Sequence, residues 1–272
     1  MSREQIKEKQ ANSVSKSTAF MTVATLLSRA TGLFRTWAMA FALGNTLVTS
    51  AYNIANNLPN VIYELVAGGL LFAAFIPVYL PEKEKFDQDR ANRFGSNVLN
   101  ILAIFLGLLA ILSTIFAAPI VGTQTFTVNA DSQVNEYAIF FFRIFAIQIL
   151  FYGVGGTITA ILNAHRVFFI PSVVPVLNNV VVIISFIVYS VLQGSNPELA
   201  LIILAVGTSL GVLVQFAVQI PALFRCGFKW KLEIHIRDKA LLDALKIALP
   251  TIIYIAGTMV AFSFRNAFSL EV

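Results

Sequence analysis

Apolar residues fall along this chain in seven long blocks separated by short polar stretches: 18–43, 48–80, 94–121, 137–163, 169–192, 198–224 and 240–268. A helix needs about 20 residues to cross the hydrocarbon core of a bilayer, so each block predicts one crossing. The pattern predicts an all-α fold, a polytopic membrane helix bundle of about seven transmembrane helices. The second block is too long for one straight crossing. Pro59 within it lacks a backbone donor and clashes with the preceding turn, which predicts a kink or break near residues 56–60. Gly68-Gly69 is a second soft point. Pro171, Pro175, Asn178 and Asn179 interrupt the fifth block and Pro250 the seventh, and kinked helices suit a molecule that rocks between states.

The polar residues inside the first two blocks are the candidate chemistry. The first block carries Ser28, Arg29, Gly32 and Arg35. An arginine near the middle of a lone spanning helix costs roughly 2.5–3.5 kcal/mol, a cost tolerated where the group faces a wet cavity or a partner charge. Six residues turn an ideal helix by about 240°, so a bend at Gly32 or a wide cavity is needed for both guanidinium groups to reach one point. In the second block Asn53, Asn57, Asn60 and Glu64 share one helical face. Interhelical hydrogen bonds average only about 0.6 kcal/mol each. Four polar groups in register exceed that need, and they read as the wall of a cavity shared with the first span, with Leu58 and Ile62 turned away from it. The fourth block repeats the pattern in Gln148, Tyr152, Gly155, Thr159 and Asn163, but Gly, Thr and Tyr commonly serve close helix packing, which is the reading taken here. Arg143, near the outer end of that block, is placed to snorkel.

Composition agrees with a membrane setting. The chain is 57% hydrophobic and 12% charged, with a mean hydropathy of +0.78, whereas a soluble domain carries about 25% charged residues. The net charge of +5 comes from short loops rather than a nucleic-acid-binding patch. Arg3, Lys7, Lys9 and Lys16 precede the first block; Lys83, Lys85, Arg90 and Arg93 follow the second; Arg166 follows the fourth. Arg225, Lys229, Lys231, Arg237 and Lys239 surround the link between the sixth and seventh, and the loops at 44–47, 122–136 and 193–197 carry no basic residue. The positive-inside rule therefore puts the N-terminus in the cytoplasm and loop 122–136 outside. Residues 1–16 do not resemble a cleaved leader, because the apolar run after them is too long for a signal-peptide core.

Catalytic chemistry does not emerge. Cys226 is the single cysteine, and His165 and His235 sit in expected cytoplasmic loops without an acidic partner at ligand spacing. There is no phosphate-cradling glycine loop, no paired carboxylates and no Ser/His/Asp arrangement, so neither an enzyme nor a cofactor or metal site is expected.

These residues resemble the MviN/MurJ family of lipid II flippases, within the larger group of multidrug and polysaccharide exporters. The resemblance rests on Ser28-Arg29-x-x-Gly32-x-x-Arg35, Leu58-Pro59-Asn60 and Ala74-Phe75-Ile76-Pro77. Ile161-Leu162-Asn163, Phe169-Ile170-Pro171 and Pro175-x-Leu177-Asn178 add to it, in the family's order and spacing. It implies a two-lobed bundle of about fourteen spans that moves lipid-linked peptidoglycan precursor outward across the bacterial plasma membrane by alternating access. Arg29 and Arg35 match arginines placed around the substrate's pyrophosphate, a role suited to a planar, permanently charged guanidinium. Ser28, Asn53, Asn57, Asn60 and Glu64 complete the candidate substrate site. The departures are Glu64 where many members carry arginine, Gly68-Gly69 for a Glu-Gly pair, and Ser50 for an aspartate; the Ala67-Gly68-Gly69 variant is similar to that of actinobacterial members.

On this reading residues 1–17 are a cytoplasmic tail, 18–224 a first transporter lobe of six helices, 225–239 a cytoplasmic linker, and 240–272 the seventh helix, opening a second lobe. The expected partners are the lipid-linked precursor, membrane lipid and a second lobe from the same or another chain. The alternatives are an exporter of another lipid-linked oligosaccharide or of drugs, and a membrane scaffold half that moves nothing.

Overall fold

A computed structural model describes residues 3–68, 74–85, 87–125 and 132–269, with side chains described outside 3–20, 85, 259 and 262–269. Gly69, the middle of loop 122–136 and the Arg265 side chain thus lie outside what is described. Among the described residues the chain is helical throughout its regular structure: α1 (Arg3–Leu43), α2 (Leu47–Tyr63), α3 (Phe75–Lys85), α4 (Gln88–Ile115), α5 (Ala117–Gly122), α6 (Gln133–Phe145), α7 (Gln148–Ala164), α8 (Phe169–Leu192), α9 (Pro197–Ala217), α10 (Gln219–Arg225) and α11 (Lys239–Ser269). Helices α4, α8, α9 with α10, and α11 are each long and apolar enough to cross a bilayer, and the bent pair α6–α7 makes a fifth candidate. The first two expected crossings do not reach that measure among the described residues. They are the two that carry the arginines and the asparagine stripe.

Several boundaries follow from local chemistry. Helix α1 runs unbroken from Arg3, through the expected tail, through Gly32 and on to Leu43. It ends at Gly44, whose φ of +62° is the left-handed conformation that stops a helix at little cost in glycine. Asp87 caps α4 by accepting from the Arg90 amide at 2.7 Å, and Asn196 caps α9, with Pro197 as the first helical residue. The second block does not break at 56–60. Helix α2 continues through Pro59 to Tyr63 and gives way to a widened π-helical turn over Glu64–Gly68.

The fourth block breaks where no proline or glycine marks it. Helices α6 and α7 meet at 44° across Ala146 and Ile147. A break inside a membrane frees carbonyls that lipid cannot satisfy, and neighbouring Ser or Thr side chains commonly answer them. Here Ser209 of α9 donates to the Ile144 carbonyl at 3.2 Å and Thr114 of α4 approaches the Arg143 carbonyl at 3.5 Å.

Two apolar cores result. One, toward the basic loops, gathers Tyr63, Phe75, Tyr79, Phe94, Leu106, Ile161 and Phe228; the other gathers Tyr52, Leu58, Phe141, Phe142, Phe145, Phe186 and Leu204. Buried polar pairs accompany them, Gln148 to Ser209 at 3.0 Å and Tyr52 with Thr208 at 3.1 Å. The exterior is apolar: Leu33, Phe34, Trp37 and Phe41 on α1 are exposed, as are Ile104, Leu108, Ile111 and Ile115 along one face of α4. That is the surface a bundle presents to acyl chains.

The link between α10 and α11 is pinned rather than loose. Asn100 donates to the carbonyls of Lys231 and Glu233 and accepts from the Trp230 indole, Asn97 exchanges two hydrogen bonds with the His235 backbone, and Ser96 accepts from the Lys231 amide. These polar positions lie within the expected third block, and α4 itself begins at Gln88, before the expected start at 94. Replacing Asn100 with leucine strands two carbonyls and one indole N–H at about 1–3 kcal/mol each where they stay buried. Tryptic cleavage after Lys229 or Lys231 is then expected to accelerate by roughly thirty-fold, the equivalent of about 2 kcal/mol. An unchanged cleavage rate would mean that the asparagines do not hold the link.

Candidate functional site

The bundle encloses a cavity of about 370 Å³ bounded by the end of α2 with its π turn, by α3, α7, α9 and α10. From α2 it takes Asn60, Tyr63 and Glu64; from α7, Tyr152, Thr159 and Asn163; from α9 and α10, Gln215, Phe216 and Gln219. The α2 residues reach it because i and i+4 lie over one another on a helix, and Asn60 donates to the Glu64 carboxylate at 2.9 Å. On the opposite wall Thr159 donates to Gln219 at 2.7 Å, and Asn178 of α8 orients Gln215 at 3.0 Å from outside the lining. Tyr63 stacks on Tyr152 and Phe151 on Phe216, closing the floor with aromatic surface. The wall therefore offers amides, hydroxyls and one carboxylate, and no lysine or arginine is among its lining residues.

The candidate residues separate into two groups. Asn60 and Glu64 line this cavity, whereas Asn57 is half-buried and Asn53 exposed one and two turns earlier, and neither is part of its wall. Leu58 is buried in the second core and Ile62 packs against both cores. Ser28, Arg29 and Arg35 belong to α1, which packs along α8 through Asn179; that amide donates to Thr31 at 3.0 Å and to the Ser28 carbonyl at 3.4 Å. Arg29 is exposed beside Met21, Thr22, Thr25 and Leu26, where it edges a depression of about 400 Å³. Arg35 is half-buried on the same helix.

Sequence reasoning missed half of the wall. Tyr152, Thr159 and Asn163 share a face, as expected, but that face looks into the cavity and is not closed by helix packing; only Gln148, fully buried against Ser209, behaves as the packing reading requires. Gln215 and Gln219, four residues apart, carried a signal of the same kind and passed unnoticed.

Neither histidine belongs to this site, and the described residues hold no group of three His, Cys, Asp or Glu side chains able to share a metal. The His235 ring is exposed. His165, in the turn between α7 and α8, meets the Tyr79 hydroxyl at 2.9 Å. Burial pushes its imidazole below the ordinary 6.5, with the Lys83 charge acting in the same direction and a hydrogen bond to the Cys226 backbone opposing. The unfolded chain then binds more protons between the depressed value and 6.5, so stability rises with pH across that window and falls on acidification below 6.5. An NMR titration is expected to place the His165 midpoint under 6.5, and His165→Gln should flatten the acid limb of a thermal-stability profile. A midpoint above 6.5 would contradict the buried contact.

Comparison with known proteins assigns the family. The family model described as lipid II flippase MurJ matches residues 39–270. The chain belongs to the MurJ family. Among MurJ relatives, the probable lipid II flippase MurJ of Buchnera aphidicola subsp. Schizaphis graminum is 27% identical over 254 residues, 93% of this chain and 49% of that protein. The lipid II flippase MurJ of Burkholderia cenocepacia is 30% identical over 207 residues, 75% of this chain and 39% of that protein. A solved structure of lipid II flippase MurJ in an inward closed conformation superposes with a TM-score of 0.65 at 24% identity, covering 86% of this chain and 47% of that one. This likeness shows a shared MurJ-like helical fold. The chain spans about half the length of the MurJ relatives it matches.

Proposed function

We propose that this chain forms the first lobe of a lipid II flippase, which carries lipid-linked peptidoglycan precursor from the inner to the outer leaflet of the bacterial plasma membrane. Alternating access requires one bundle to rock against another, so the lobe works with a second lobe, supplied by the same polypeptide or by a partner chain. Arg29 and Arg35, with Ser28, hold the pyrophosphate; Asn53, Asn57, Asn60 and Glu64 line the path of the head group. Residues 1–17 face the cytoplasm and 225–239 form the cytoplasmic link to the second lobe. The observation that carries this reading is a cavity that sets amides, hydroxyls and one carboxylate among aromatic and aliphatic side chains, in a chain whose match to the family spans residues 39–270. Amides and hydroxyls suit the sugars and peptide of such a head group.

A second reading, export of a cationic amphiphile, draws on one observation: Glu64 is the one charged side chain in the cavity lining. The two separate in a strain depleted of its own flippase, complemented by this lobe joined to a MurJ second lobe. Restored growth, with precursor newly accessible to an enzyme added outside spheroplasts, is the expected result. Normal membrane levels without growth, together with gained resistance to cationic drugs, would favour the exporter.

A further inference from the structure

The pinned link between α10 and α11 presents a surface that the transport cavity does not use. Its sequence alternates, with Trp230, Leu232, Ile234 and Ile236 interleaved with Lys231, Glu233, His235 and Arg237. Side chains of an extended chain alternate between two faces. Residues 228–235 have no helical structure, and their odd-numbered members turn backbone groups onto Ser96, Asn97 and Asn100 of α4. Lys231 reaches Asp89 at 2.6 Å, in the first turn of α4, which fixes the polar side of the segment toward the charged end of that helix.

The apolar members remain uncovered: Trp230, Leu232, Ile234 and Ile236 are 47, 76, 47 and 70% exposed. A segment held by this many hydrogen bonds has not been left free to tuck those side chains away. The Trp230 indole donates to Asn100, which sets the ring one turn from Ile104 and Phe105, themselves exposed at the start of the apolar face of α4. The strip is thus continuous with the surface that meets acyl chains. Arg225, Lys229, Arg237 and Lys239 are exposed around it, while Asp238 is turned inward to cap α11 at the Ala240 amide. Basic residues beside exposed aromatic and aliphatic side chains, at the level where a bundle leaves the hydrocarbon, match the chemistry of an anionic leaflet surface.

We propose that residues 229–237 are an interfacial anchor, a strap lying in the cytoplasmic headgroup layer. Trp230, Leu232, Ile234 and Ile236 enter the upper acyl chains, and Lys229 and Arg237 meet anionic phosphates. The strap ties the entrance of α11 to the bilayer plane through α4, and the proposal does not depend on what the lobe transports.

The chain has two tryptophans, so Trp37→Phe leaves Trp230 as the sole reporter. Reconstituted into phosphatidylcholine vesicles containing phosphatidylglycerol, Trp230 is expected to be quenched about twofold more by lipid brominated near the carbonyl end of its chains than near the methyl end, as for a side chain at the headgroup boundary. It should be quenched weakly by aqueous acrylamide. Raising the phosphatidylglycerol share should strengthen lipid quenching, and Lys229→Gln with Arg237→Gln should remove that dependence while leaving the α4 hydrogen bonds in place. Strong acrylamide quenching without lipid quenching would overturn the proposal in favour of a strip facing the cytosol. Protection from both quenchers would overturn it in favour of coverage by protein, either a second copy or a second lobe.

Discussion

Alanine at Gly207 is expected to destabilise the lobe by about 1–3 kcal/mol, the range for overpacking a tight interface. Alanine at both Gly207 and Gly211 is expected to prise α8 from α9. A β-carbon at Gly207 would lie 2.0 Å from the Ser185 hydroxyl and 2.7 Å from the Ser185 β-carbon; one at Gly211 would lie 2.4 Å from the Asn178 amide oxygen and 3.2 Å from its carbonyl. Rotating the serine hydroxyl relieves the first contact and leaves the second, so the helices themselves must move. Their spacing of four residues stacks both glycines on one face, the arrangement that lets membrane helices approach closely. Helix α8 also holds α1 through Asn179 and positions Gln215 through Asn178, so its displacement would carry the arginines and the cavity wall with it. The midpoint of thermal unfolding in mild detergent measures the loss, and Ser185→Gly should recover most of it in the Gly207→Ala background. Equal stability with and without Gly207→Ala would show that the two helices do not pack at this distance.

What could be read from the sequence was whatever depends on long apolar runs. Helix α8 begins at Phe169 and ends at Leu192, as its block predicts, because apolar content and length agree there and Pro175 leaves the helix unbroken. Helix α4 was expected to start at 94 and starts at Gln88, because Asp87 caps it at the Arg90 amide and its polar first turns fall outside the apolar run. The break at Ala146 and Ile147 has no local signal at all. Its freed carbonyls take hydrogen bonds donated by Ser209 and Thr114, from helices distant in sequence. Pro59 does not end its helix: a proline tolerated by its surroundings need not, and α2 runs four residues beyond it.

The site divides along the same line. Asn60 and Glu64 were legible because amide and carboxylate groups at helical spacing are costly in lipid. Tyr152 and Thr159 were not, because the same side chains serve packing in most membrane helices, and only the gap opposite them shows which role applies here. Nothing in one helix reveals what the facing helix leaves empty.

Removing the charge from Arg29 and Arg35 together is expected to abolish flipping while the lobe still folds. Neither guanidinium holds a core together: Arg29 is exposed, Arg35 is half-buried, and neither makes an ion pair among the described residues. If they served only packing, glutamine should be tolerated and, since burying charge is costly, could stabilise the fold. If they hold a pyrophosphate, each loses a charge-assisted contact, and truncating one partner of such a pair costs about 2–5 kcal/mol, from roughly thirty-fold to several thousand-fold in occupancy. Arg35→Gln is expected to be the more severe single change, because Arg35 is half-buried in the bundle, whereas Arg29 stands exposed at the edge of an outer depression. Lysine keeps the charge and loses the planar fork, so it should rescue partly at either position. Growth of a flippase-depleted strain, complemented by the lobe joined to a second lobe and read beside immunoblots of membrane protein, measures the effect. Full growth with glutamine at both positions would remove the pyrophosphate role from α1.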